Sequence, residues 1–185
     1  EMDVKGKKAA FNLFEKDVKN SFEKIYSLAS SQKKYPGSDI YRFFKDEVED
    51  KCLSSDTCFR NILVIITDGY MYWEKSLEKK GNRYSYLIQK SEILNKFRRN
   101  QNREDVFEKE DYGFINTGKD LSDLEVILLE VNPSYDYPVD YDIIKKFWTK
   151  WLLEMNIKAE NIKIVKTDLP ANTKLVVKKF IKCSR

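Results

Sequence analysis

Ile62 to Ile66 is an unbroken run of leucine and β-branched residues, entered by Asn61 and closed by Thr67, Asp68 and Gly69. A strand with one wet face alternates apolar and polar positions, whereas a continuous run fits a strand buried on both faces in a parallel sheet covered by helices. Leu124 to Val131 repeats the pattern and ends at Asn132-Pro133, and Ile162 to Val165 repeats it again before Thr167-Asp168. Between these two runs, Ile143, Ile144, Phe147, Trp148, Trp151, Leu152 and Met155 recur at helical spacing, giving one β-α-β unit with room for a right-handed crossover. After Pro170, Val176, Val177, Phe180 and Ile181 mark a closing helix. The expected fold is α/β: a doubly wound, Rossmann-like three-layer α/β/α domain with a mainly parallel sheet.

The chain opens with Phe11, Phe14, Val18, Phe22, Ile25 and Leu28 at spacings of three and four, an amphipathic helix of about five turns. Ser30 to Asp39 carries Pro-Gly punctuation, and Ile40, Phe43, Phe44 and Val48 then mark a second helix starting near Ser38, with Ser38 or Asp39 as its N-cap. Residues 70–118 are charged and aromatic without regular spacing, apart from one helix through Leu87, Leu94 and Phe97, and read as a surface insertion in a single domain of residues 1–185. The phenylalanine stripe of the first helix and Trp148 and Trp151 read as core. Three strands give too little sheet to bury the opening helix along with the others. A further strand is therefore expected before residue 36, either ahead of Glu1 or around Ser30 to Tyr35.

The 185 residues are enough to close a core without metals or disulfides. Lys and Arg number 34 against 30 acidic residues, and this dense mixture of signs fits a solvated surface better than a nucleic-acid footprint. The basic stretch Lys96 to Arg103 is followed at once by Glu104, Asp105, Glu108, Glu110 and Asp111, so no nucleic-acid partner is expected. With no histidine in the chain, His-dependent triads and His-ligated zinc are excluded. Cys52, Cys58 and Cys183 lack metal-site spacing; Cys52 and Cys58 could pair across the intervening loop, but free thiols are the simpler reading. No apolar run is long enough to span a membrane, and the first residues lack the apolar core of a signal peptide. If a signal has been removed, the cell envelope or secretion is favoured over the cytoplasm.

The segment from Cys58 to Lys75, with Ile65, Ile66, Thr67, Asp68 and Gly69 at its centre, resembles the fourth strand and metal loop of a von Willebrand factor A domain. The downstream order of strand, helix, strand and helix matches as well, and the resemblance covers about residues 37–180. It implies a metal-ion-dependent adhesion site built from three loops at the carboxyl edge of the sheet. Such a site usually holds magnesium, which takes hard oxygen ligands and keeps a position open for a partner's carboxylate. By this resemblance Asp68 falls on the third loop and Ser38 on the second, and both become candidate metal ligands. The first loop, Asp-x-Ser-x-Ser, has no match in the chain. Asp68 is equally a turn former at a strand end, and Ser38 equally a helix cap.

Ligands of open parallel sheets bind outside the carboxyl ends of the strands. There the chain places Asp68, Glu130, Asn132 and Asp168, and the loop after Asn132 adds Asp136, Asp140, Asp142 and several tyrosines. The expected role is that of a protein-binding, adhesion-like module whose partner contacts Asp39, Tyr70, Asn132 and Asp136, with or without magnesium. Asp140, Asp142 and Asp168 read as helix caps. The alternative is a divalent-metal hydrolase performing phosphoryl transfer at the same acidic edge, although the chain has neither a phosphate-binding glycine loop nor a nucleophile elbow. Oligomeric state is not legible.

Overall fold

The computed structural model describes residues 4–31, 37–56 and 58–182. The chain divides into two compact units, Glu1–Pro36 and Gly37–Arg185. In the first, helix α1 runs Val4–Ser31. Phe11, Phe14, Phe22, Ile25 and Leu28 on it are all exposed, so the apolar stripe that was expected to be core is not buried. Of the suspected strand or break around Ser30 to Tyr35, Ser30 and Ser31 belong to α1 and residues 32–35 lie outside the described residues.

The second unit begins with β1 (Gly37–Ser38), α2 (Ile40–Arg42), a π-helical turn (Phe43–Glu47) and α3 (Val48–Cys52), followed by β2 (Asn61–Ile66). Tyr41, Phe44 and Val48 keep one face of this helical stretch buried through the wider π turn. Next come β3 (Tyr72–Trp73), β4 (Lys79–Lys80), β5 (Arg83–Tyr84), α4 (Glu92–Arg99), α5 (Arg103–Lys109) and β6 (Gly113–Phe114). The chain then forms β7 (Leu124–Val131), α6 (Asp140–Glu154), a 3-10 turn (Ala159–Asn161), β8 (Ile162–Lys166) and α7 (Pro170–Lys182).

The three apolar runs form a parallel sheet in the order β2-β7-β8. Asn61 to Ile66 pair in register with Leu124 to Leu129, whereas a bulge interrupts β7 against β8 between Leu128 and Val131. This is mixed α/β architecture around a parallel sheet, but only β7 is buried on both faces as expected; β2 exposes Val64 and Ile66, and β8 exposes Lys163 and Lys166. Leu124, Val126, Leu128 and Val131 face the main core, where Leu63 and Ile65 of β2 also pack. Helix α6 supplies the other side of that core through Ile143, Ile144, Phe147, Trp148, Trp151 and Leu152.

Residues 70–118, expected to be a surface insertion, contribute many side chains to the core. Met71, Tyr84, Leu87, Leu94, Phe97, Phe107 and Phe114 from this segment are buried in the main core. Phe114 meets the rings of Phe147, Trp148 and Trp151 at 5.4, 5.7 and 5.3 Å. Phe107 meets Phe147 at 5.1 Å, and edge-on aromatic pairs of this kind each add about 0.5–1.5 kcal/mol beyond the area they bury. Arg83 clamps the segment to α6, donating to both carboxylate oxygens of Glu154 at 2.8 Å and to Asp111. Its aromatic residues lack a regular period because short strands, bridges and two brief helices present them to α6. The expected helix is real but begins at Glu92, and Leu87 instead sits in an antiparallel bridge with Met71.

Candidate functional site at the carboxyl edge of the sheet

Parallel β2 and β7 deliver Asp68 and Asn132 to the same edge, where the Asn132 backbone N–H donates to the Asp68 carbonyl at 3.0 Å. The Asp68 side chain folds back on its own loop, and its Oδ1 accepts from the Tyr70 backbone N–H at 3.0 Å. Partial enclosure at the strand end pushes the Asp68 carboxyl above its ordinary range, although the Tyr70 amide and the Thr67 hydroxyl pull the other way. Gly69 then turns the chain at φ +99°, and a Cβ there would lie 2.6 Å from Ile144 Cγ2. The Gly69 carbonyl accepts from Trp148 Nε1 at 2.8 Å, so the indole pins the loop from inside.

Tyr70 leads away from this turn into the core of the network. Its hydroxyl donates to Asp140 Oδ2 at 2.8 Å and accepts from the Ser134 backbone N–H at 3.3 Å, tying the two strand-end loops together a second time. Burial, then the bond to Asp140, pushes the phenol pKa up to about 12. Asp140 is fully buried and receives Arg98 in a bidentate pair, Nε to Oδ1 at 2.8 Å and Nη2 to Oδ2 at 2.5 Å. Arg98 also donates to Asn95 Oδ1 and the Gln89 carbonyl, and its guanidinium lies 3.6 Å from the centre of the Tyr137 ring. The bond to Asp140 holds the guanidinium firmly protonated.

Ser38 lies on β1, which pairs antiparallel with β3 so that Ser38 faces Tyr72, four residues along the chain from Asp68. It is Asp39, not Ser38, that caps the following helix, its Oδ1 accepting from the Arg42 backbone N–H at 3.1 Å. Asp136 is exposed in the loop between Asn132 and α6, next to Tyr135, whose surface is 97% exposed. Asp68, Tyr70 and Asn132 are therefore joined directly. Asp136 shares the Asn132 loop, Ser38 is joined through strand pairing, and Asp39 is committed to its helix.

Asp168 was expected to cap α7 but accepts from none of the helix's backbone N–H groups; its Oδ1 accepts from the Leu169 backbone N–H and from Asn172 Nδ2, bonds that hold its carboxyl below the usual range. Asp140 is not a cap, because its carboxylate is engaged by Arg98 and Tyr70. This buried pair is the part of the site that residue type alone did not reveal. Its signal was spacing: Arg98 lies four residues after Leu94, and Asp140 lies three and four before Ile143 and Ile144, so each sits on an apolar helix face.

Glu130, just before the edge, adopts φ +64° where β7 bulges, and its carboxylate accepts from Thr173 Oγ1 at 3.3 Å. Among the described residues no group of three or more acidic or cysteine side chains is arranged to hold a metal. Cys52 and Cys58 are both free thiols. No described helix is long and apolar enough to cross a membrane. No family model, curated protein or solved structure matches this chain.

Proposed function

We propose that the chain is a protein-binding module of von Willebrand factor A type, doubly wound around its parallel sheet, which recognises a protein partner at the carboxyl edge. The observation that carries this reading is the double tie between the strand-end loops, Asn132 to Asp68 and Ser134 to Tyr70. With its far end also held, where Asp140 accepts from the Tyr70 hydroxyl, the loop presents Tyr135 and Asp136 to solvent with little entropy left to lose on binding. An exposed tyrosine is among the residues that protein interfaces enrich at their anchors.

Magnesium, where bound, is held by the Asp68 carboxylate, with the Ser38 hydroxyl as the second protein ligand and the partner completing the shell. Two protein oxygens make a weak site, in keeping with an ion that retains several waters and takes ligands from a bound partner. Asp39 contributes through its backbone position at the start of α2, since its carboxylate is engaged.

Capture from an extract of the source cells tests the reading. Wild-type chain and a Leu153→Lys control should retain the same partner, while Asp68→Ala with Asp136→Lys should lose it. Equal retention by the edge variant contradicts the proposal. Addition of a chelator separates a metal-bridged contact, which it abolishes, from a direct one.

A further inference from the structure

The two outer strands of the parallel sheet differ in how their edges are guarded. β8 carries Lys163 and Lys166, both exposed. Charges of this kind keep an edge strand from pairing with another molecule. β2 lacks that protection: from Asn61 to Thr67 it contains no charge, no proline and no bulge. On its free side it has no strand partner among the described residues. Its outward face is apolar as well, since Val64 is 45% and Ile66 52% exposed, with Ile62 half-buried in the same row.

We propose that β2 pairs antiparallel with β2 of a second copy of this chain, joining two three-stranded sheets across a twofold axis. The strand is self-complementary in that arrangement. With Val64 on the axis, Val64 faces Val64, Ile62 faces Ile66, and Leu63 faces Ile65 of the other copy. Every half-exposed aliphatic side chain of the strand then meets another aliphatic one, and no charge is buried. An isologous contact closes on itself, so it stops at a dimer instead of extending into a fibre. The guarded β8 edges become the outer edges of the joined sheet.

Sedimentation velocity on the 185-residue chain reads the proposal directly. Two-chain mass should appear at high micromolar concentration, Val64→Lys should give one-chain mass with an unchanged circular dichroism spectrum, and Leu153→Lys should leave the dimer intact. Directly opposed residues in an antiparallel pair bring their Cβ atoms to about 4.5–5.5 Å. With Cys52, Cys58 and Cys183 replaced by serine, Val64→Cys should therefore oxidise to a covalent dimer, whereas Ile62→Cys should not. If Val64→Lys fails to fold, this cysteine pair still decides. A wild-type monomer at every concentration overturns the proposal. So does equal cross-linking at positions 62 and 64, or concentration-independent protection of the β2 amides from exchange, which would mean that some other strand covers the edge.

Discussion

Arg98 and Asp140 form a bidentate ion pair in which the arginine side chain is 7% exposed and the aspartate 0%. It joins α4, from the segment read in the sequence as peripheral, to the first turn of α6 at the edge where ligands of parallel sheets bind. Breaking a buried pair is strongly destabilising, because removing one partner leaves the other charged in a dry site, at a loss of about 3–5 kcal/mol. Asp140→Ala and Arg98→Met should each lower the unfolding free energy from denaturant titration by that order. The double variant Arg98→Met with Asp140→Leu should lose clearly less than the sum. Strict additivity in such a cycle would mean that the two charges do not interact.

Tyr70 gives the same network a pH signature. Its phenol titrates near 12 in the folded chain and near 10 when unfolded. Between those values the folded state holds a proton that the unfolded state has released, so stability is intact below about pH 10 and falls as pH rises toward 12. Burial also pushes Tyr41 and Tyr141 up, so spectrophotometric titration should show several late tyrosines, and Tyr70→Phe should remove the latest component. An unchanged titration curve in the variant would separate Tyr70 from the late step.

Gly69 is needed for its backbone and for the space it leaves. At φ +99°, where an added Cβ would sit 2.6 Å from Ile144 Cγ2 and 3.0 Å from Val131 Cγ1, alanine combines strain with overcrowding. A destabilisation of about 2–5 kcal/mol is expected for Gly69→Ala by thermal or chemical unfolding. A loss well under about 1 kcal/mol would show that the turn relaxes freely.

Phe114 tests whether residues 70–118 belong to the core. Its ring is fully buried against three aromatic residues of α6, so Phe114→Ala should lose about 3–5 kcal/mol. A change typical of a surface site would return the segment to the periphery.

The parallel strands and α6 were legible because continuous apolar runs and helical periodicity are patterns that short sequence windows register, although only β7 is buried on both faces and β2 leaves Val64 and Ile66 exposed. Residues 70–118 were not, because Met71, Leu87 and Phe114 reach the core from bridges and two-residue strands that have no period to read. Asp68, Tyr70 and Asn132 were legible as a group because strand ends in a parallel sheet share one edge. Arg98 and Asp140 were misread by residue type, although Leu94 and Ile144 place them on buried faces. The exposed stripe of α1 shows the opposite failure: amphipathic spacing names a face but not what covers it.

The proposed magnesium ligand Asp68 carries its own test. At an ion concentration ten times Kd, linkage adds about 1.4 kcal/mol, roughly 3–6 °C in Tm for a chain of this size. Asp68→Ala should abolish the shift. Because a carboxyl must lose its proton to bind metal and that of Asp68 is held above its ordinary range, the shift should fade with acidification sooner than a typical aspartate would allow. No shift in the wild type removes magnesium from the account and leaves the partner surface.

Photochemical cross-linking tests the central claim most directly. A photoreactive phenylalanine analogue at Tyr135, on the proposed partner surface, should cross-link a protein partner that competes away with excess unlabelled chain. The same group at Lys163, exposed on the outer strand β8, should not. Equal yields at both positions, or capture from Lys163 alone, would contradict recognition at the carboxyl edge.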